Sequence, residues 1–292
     1  MPAYAPGAAG TRNPSVNDPR IGTELRRFRE KCGLPGDTVA HALRWSTSKV
    51  SRYERSRTSV TRRGLEQILK YYQQRYQMPL GQAEALLAMF DQAMGMSRFL
   101  HPFLGPAVLA AVVREWSSRS VPRLLQTHDY AMAVLNDLQP ATAMSPGEIR
   151  DAAAGIAKWQ TRLRETPPVR VQALLDESVL YRKAGSPEIM RAQLAHLDRL
   201  AGDGQAAIEI RVLPFAAGKA PRWVSAFSHL EYAPVPGSDA SAEIVTEEVD
   251  GPGQPELSER GTWRRLQLFT VLWEAGDAPG TYVKRALSEA WG

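Results

Sequence analysis

Cysteine is almost missing from this chain: its 292 residues hold one, Cys32. A single thiol excludes an internal disulfide, and a reduced, cytoplasmic compartment is the expectation. No apolar run is long enough to span a bilayer, and the N-terminus lacks the basic-then-apolar order of a leader, so no membrane partner is expected. The five histidines, His41, His101, His128, His196 and His229, have no ligand spacing and no companion cysteines, which argues against a metal site. Gly202 to Gly204 and Gly251 to Gly253 carry neither a phosphate-loop lysine nor a dinucleotide fingerprint and read as turns. Carboxylates are scarce in one stretch. From Arg20 to Gln77, 14 Lys/Arg stand against 5 Asp/Glu, a balance of +9, whereas Met78 to Gly292 carries −4. Such a concentrated positive patch suits phosphate neutralisation.

Within that patch, Ser46 to Arg55, STSKVSRYER, reads as a short helix with Ser46 as N-cap. Val50 and Tyr53 fall on its inner face. Thr47, Ser48, Lys49, Ser51 and Arg52 fall outside, each with a hydroxyl, ammonium or guanidinium suited to a base edge or a phosphate. Upstream, Gly22 to Lys31 places Leu25, Phe28 and Cys32 on one helical face and ends at Gly33. Asp37 to Leu43 forms a two-turn helix with Asp37 as cap, Val39, Ala40 and Leu43 inward, and the small Ala40 allowing close approach of the next helix. Arg44 to Ser46 make the turn. A short helix, a tight turn and a polar, basic second helix is the geometry that lays the second helix in the major groove of double-stranded DNA.

The stretch LRRFREKCGLPGDTVAHALRWSTSKVSRYERSR resembles the Cro/repressor-type (Xre) helix-turn-helix domains. That resemblance implies a pairing of Arg29 with Glu54 that fixes the recognition helix, with Ala40 and Val50 at its packing contacts. It also implies backbone anchoring by the surrounding arginines, here Arg26, Arg44, Arg55, Arg57 and Arg62. The sequence departs from the pattern at three places. Pro35-Gly36 replaces the Thr-Gln that opens the second helix, Arg44 stands at a turn position that is often glycine, and Ser56-Arg57 replaces the glycine after the glutamate.

Around this block the sequence predicts a flexible arm over residues 1–20, in which Arg12 and Arg20 are candidates for a minor-groove contact. It predicts further helices over Thr61 to Tyr76 and Gln82 to Met96, and a boundary at His101-Pro102-Phe103. The expected organisation is an all-α, five-helix domain over residues 21–100 and an α+β domain with a small sheet over residues 101–292. Strands are expected at Val108–Trp116, Val169–Leu175, Ala207–Leu213, Phe227–Tyr232 and Ile244–Val249. Helices are expected at Leu124–Asp137 with Thr127 as cap, Ser145–Arg164, Ser186–Ala201, Glu256–Ala275 and Tyr282–Trp291. In Ser145–Arg164, Ile149, Ile156, Ala157, Trp159 and Leu163 are the inner positions. Val121–Leu135, Leu174–Leu197 and Ile208–Gly218 resemble the C-terminal domain of unknown function found behind an Xre domain in bacterial antitoxin-like regulators.

Asp176-Glu177 is a weak acid/base pair, since neighbours on a strand point apart; capping a loop or pairing with Arg182 or Arg211 is the expectation. Gln126-Thr127 reads as an N-cap or an anion contact, and Trp223, Phe227 and Tyr232 as core or cleft. With no convergent catalytic set, neither an enzyme nor a cofactor is expected. The resulting expectation is a sequence-specific, nucleoid-associated transcriptional regulator, acting as a homodimer and controlled through its C-terminal domain. Two alternatives stand beside it: an antitoxin-like protein whose main role is to bind a small partner protein, and a repressor that senses a small-molecule effector.

Overall fold

Asp18 accepts a hydrogen bond from the Arg20 backbone N–H (3.0 Å), and Pro19 brings a fixed φ to the first helical position, so the first helix opens there. The computed structural model describes residues 15–16, 18–97, 107, 109–142, 144–202, 207–218, 225–234, 242–247, 255–256 and 259–291. Two compact units divide at Gly95 and Met96. The first holds α1 (Pro19–Lys31), α2 (Gly36–Leu43), α3 (Thr47–Glu54), α4 (Arg62–Tyr76) and α5, which runs Leu80–Ser97. A short antiparallel pair, β1 (Ser15–Val16) with β2 (Val60–Thr61), is added to the helices. The arm expected over residues 1–20 is therefore folded in its last part. Arg20 belongs to α1 and is held by Asp18 at 2.7 Å; Arg12, like His101, Trp223 and Gly251 to Gly253, lies outside the described residues.

The inner positions of these helices meet in one core, with Leu25, Val39, Val50, Leu65, Ile68, Tyr72, Leu86 and Phe90 buried. Cys32 and Leu43 stay half-exposed. Asp37 does not cap α2. Extended Pro35 takes that position, and Asp37 sits in the first turn, where its charge still complements the helix dipole. Among the described residues no helix is long and apolar enough to cross a membrane.

The second unit is a mixed sheet flanked by helices. In chain order it comprises β3 (Val112–Ser117), α6 (His128–Thr142), α7 (Pro146–Gln160), β4 (Arg170–Asp176), α8 (Pro187–Gly202), β5 (Ile208–Leu213), β6 (Phe227–Tyr232), β7 (Ala242–Glu247), β8 (Pro255–Glu256), α9 (Glu259–Glu274) and α10 (Gly280–Ala290). Strand order is β5-β4-β3-β6-β7-β8, with β3, β4 and β5 parallel and the others antiparallel. Strand alternation gives the sheet two apolar faces. Val113, Val171, Ala173, Leu175, Ile210, Val212, Leu230 and Tyr232 meet residues of α6, α7, α8 and α10. Trp116, Leu174, Leu213, Phe227 and Val245 meet Phe269 and Leu272 of α9. β3 starts later than expected because the Ala110 N–H turns back onto the Ala107 carbonyl (3.2 Å). Ala157 is exposed rather than inner: α7 buries Ala152, Ala153, Ile156 and Trp159 instead.

Buried amides tie the motifs of this unit together. Gln193 of α8 accepts from the Thr127 N–H (2.7 Å) and donates to the Leu125 carbonyl (2.9 Å), so that N–H is engaged inside the fold. Gln160 likewise donates to the carbonyls of Arg123 and Gln126. Asp176 caps the turn that follows β4 by accepting from the Ser178 N–H (3.0 Å). Glu177 is buried, accepts from the Phe215 N–H (2.8 Å) and pairs with Arg285 (3.4 Å), not with Arg182 or Arg211. Arg211 instead lies over the Trp273 ring and donates to the Trp273 carbonyl.

A chain of polar contacts crosses the α9-side face where apolar residues give out. Gln172 donates to Glu209 (3.3 Å), Arg114 donates to Gln172 (3.2 Å) and to Glu231 (3.2 Å), and Arg114 Nη1 lies 3.3 Å from His229 Nδ1. His229 Nε2 is 3.2 Å from Glu243. With Arg114 as donor to Nδ1, the neutral ring carries its proton on Nε2 and donates it to Glu243. Burial, aided by Arg114, holds His229 below its ordinary pKa of 6.5, against the pull of Glu243. A histidine depressed in the folded state stabilises above its unfolded pKa, and that contribution is lost as pH falls through the folded one. The stability of this unit should therefore drop below pH ~6.5, and His229→Gln should flatten the decline, with half-buried His196 supplying what remains. Urea titrations across that range, followed by tryptophan fluorescence, measure it.

Candidate nucleic-acid interface

Packing of α1 against the end of α3 orients α3. Arg29 grips Glu54 with two parallel hydrogen bonds, Nε at 2.7 Å and Nη2 at 2.8 Å, and its Nη1 donates to the Leu34 carbonyl at 2.7 Å. The fork geometry of guanidinium and carboxylate fixes both orientation and distance. The bond to Glu54 raises the Arg29 pKa further above its ordinary value. Gly22 makes the close approach possible. A Cβ there would meet the carbonyl oxygens of Tyr53 at 2.6 Å and Glu54 at 2.9 Å, and the Ser56 hydroxyl at 2.7 Å. Alanine in a helix normally gains ~1 kcal/mol over glycine. Here Gly22→Ala is expected to lose ~1–3 kcal/mol by overpacking, read as a lower urea midpoint of helical circular dichroism.

Sharp helix ends hold the motif's angles. α2 ends at Arg44, whose φ is 55°, with the Trp45 N–H bonded to the Ala40 carbonyl at 2.8 Å. α3 ends the same way at buried Ser56, φ 49°, with the Arg57 N–H bonded to the Arg52 carbonyl at 2.9 Å. Both are left-handed closures that glycine makes without strain, and they fall at the two positions where the sequence departs from glycine. Ser46 starts α3, its hydroxyl accepting from the Lys49 N–H at 3.2 Å.

Val50, Tyr53 and Glu54 are the buried side of α3, with Ala40 buried in α2. Thr47, Ser48 and Arg52 are exposed, while Lys49 and Ser51 are half-exposed. Lys49 does not project freely: its ammonium lies 3.7 Å from the centroid of the Trp45 ring and 5.4 Å from that of Tyr53, and the two rings meet edge to face at 5.4 Å. Trp45 is the residue that sequence reading missed. Its aromatic character beside a basic helix was visible, but the contact depends on the turn at Arg44 folding the ring back over α3.

Of the surrounding cations, Arg44, Arg55 and Arg57 are exposed. Two others already have acidic partners. Arg26 pairs with Glu30 at 2.8 Å, and Arg62 pairs with Glu66 at 2.9 Å and with Asp91. Exposed pairs of this kind hold weakly in water, so a phosphate competes readily for either guanidinium.

A helix-turn-helix domain family matches residues 20–74, the segment from α1 into α4. The family described as Domain of unknown function (DUF5753) matches residues 108–279, more than half of the chain. Neither a curated protein nor a solved structure matches.

Proposed function

Since the chain belongs to the DUF5753 family and places a helix-turn-helix domain ahead of that family's domain, we propose that it is a sequence-specific transcriptional regulator of the Xre type, controlled through its C-terminal unit. The observation that carries this reading is α3 itself. Its one carboxylate, Glu54, is turned inward and neutralised by Arg29, which leaves an outer face of hydroxyls and cations flanked by Arg44, Arg55 and Arg57. In this reading α3 enters the major groove, Arg52, Thr47, Ser48 and Ser51 meet base edges, and the flanking arginines with Arg26 and Arg62 hold phosphates. Lys49, steadied on Trp45, meets the groove already oriented. One such helix reads only a few base pairs, so the regulator acts as a homodimer on two half-sites.

Fluorescence anisotropy on DNA from upstream of its own gene, against scrambled DNA across a salt series, tests the proposal. Lys49→Ala/Arg52→Ala is expected to weaken specific binding by ~1–3 kcal/mol for each residue that reads a base and to flatten the salt dependence. Equal binding to both sequences, unchanged in the variant, would overturn it.

A further inference from the structure

Among the described residues, helix α9 packs one side of itself on the sheet of its unit. Phe269 and Leu272 are buried on the sheet, while Trp263 and Val271 remain 60% and 52% exposed. Trp263, Gln267 and Val271 follow one another four residues apart, so they form a single ridge on the outward side, with Gln267 at its middle. Apolar area on this scale, set on a rigid helix, is what interfaces use as an anchor. On the same helix exposed Glu274 is the last residue, and exposed Arg264 stands beyond the first turn that opens at Glu259. Glu274 faces the like-signed end of the helix dipole. Neither Arg264 nor Glu274 forms an ion pair with another described residue.

We infer that this ridge is the two-fold contact between two copies of the chain, α9 packing antiparallel on α9. The inference rests on the homodimer reading above and gives it a location. Reversal of the partner helix about Gln267 brings complementary groups together. Trp263 of each copy meets Val271 of the other, as a self-complementary two-fold contact requires. Arg264 comes within reach of the partner's C-terminal turn and its Glu274, and Glu274 comes to the partner's N-terminal end. Glu274 then lies against a dipole end of opposite sign. The glutamine at the centre meets its own symmetry mate, where a like charge would repel.

Sedimentation velocity of the full-length protein across a concentration series tests this, free and on DNA carrying one or two half-sites. Trp263→Ala is expected to raise the dimer dissociation constant at least ~30-fold, the loss of a tryptophan hot spot on each side. Binding to a single half-site should be unchanged. Arg264→Glu and Glu274→Arg should each weaken the dimer, and the double reversal should restore it. In a Cys32→Ser background, Gln267→Cys should cross-link to itself through a short bismaleimide. A dimer that survives Trp263→Ala and does not cross-link at position 267 overturns the α9 assignment while leaving the homodimer standing. A wild-type chain that is monomeric both free and on two half-sites overturns the homodimer itself.

Discussion

Arg29→Ala is expected to unfold the N-terminal unit under conditions where the wild-type chain still binds DNA. The guanidinium is the bidentate partner of Glu54, which is buried, and it also holds the Leu34 carbonyl between α1 and α2. Removing it leaves a carboxylate uncompensated in the interior and frees the end of α3. Breaking a buried pair from one side costs ~3–5 kcal/mol, a large share of the ~5–15 kcal/mol that holds a typical domain. Arg29→Lys keeps the charge but gives up the fork, and should fall between alanine and wild type. Replacing both partners, Arg29→Met with Glu54→Leu, should recover most of the loss, since no charge is then stranded. Urea denaturation followed by helical circular dichroism and DNA anisotropy gives the order. A single variant within ~1 kcal/mol of wild type would remove the pair as the brace of α3.

What could be seen of this arrangement in the sequence divides along physical lines. Features set within one turn of the chain were visible: Ser46 as the start of α3, the inward turn of Val50, and the bounds of β6, a six-residue run with aromatic and apolar residues at both ends. Features that depend on register between distant segments were not. His229 reads as one scattered histidine. It becomes the middle of a polar chain only because β3 and β6 pair Arg114 opposite it. For Asp176 and Glu177 the expectation is a loop cap or a pairing with Arg182 or Arg211; Asp176 makes the cap, and Glu177 makes neither pairing. It finds Arg285 instead, because α10 returns against the turn after β4. Left-handed Arg44 and Ser56 show a third limit. Composition argues for glycine at such closures, but the Schellman hydrogen bonds hold other residues there, exposed Arg44 and buried Ser56, at a strain of ~1 kcal/mol.

Trp291→Ala is expected to be the most damaging single change in the second unit. Trp291 follows α10 and is buried in the main core. Its Nε1 donates to the Leu180 carbonyl at 2.8 Å, and its own carbonyl accepts from Arg191 of α8 at 2.8 Å. Trp291 thus ties the segment after α10 to the turn after β4 through its side chain and to α8 through its backbone carbonyl. Truncation leaves a cavity worth ~3–5 kcal/mol and an unpaired Leu180 carbonyl worth a further ~1–3 kcal/mol. Trp291→Phe keeps much of the buried area but has no N–H, so its loss relative to wild type reads chiefly the hydrogen bond, and its gap from Trp291→Ala reads the packing. Six of the seven tryptophans lie beyond Met96, so intrinsic fluorescence follows this unit even with Trp291 replaced. The functional consequence separates the two halves of the proposal. If α9 supplies the dimer contact, loss of its supporting sheet should abolish tight binding to DNA with two half-sites. Binding to one half-site should remain, because Arg29, Glu54 and α3 are untouched. Full retention of two-site binding by an unfolded second unit would place the dimer contact in the first.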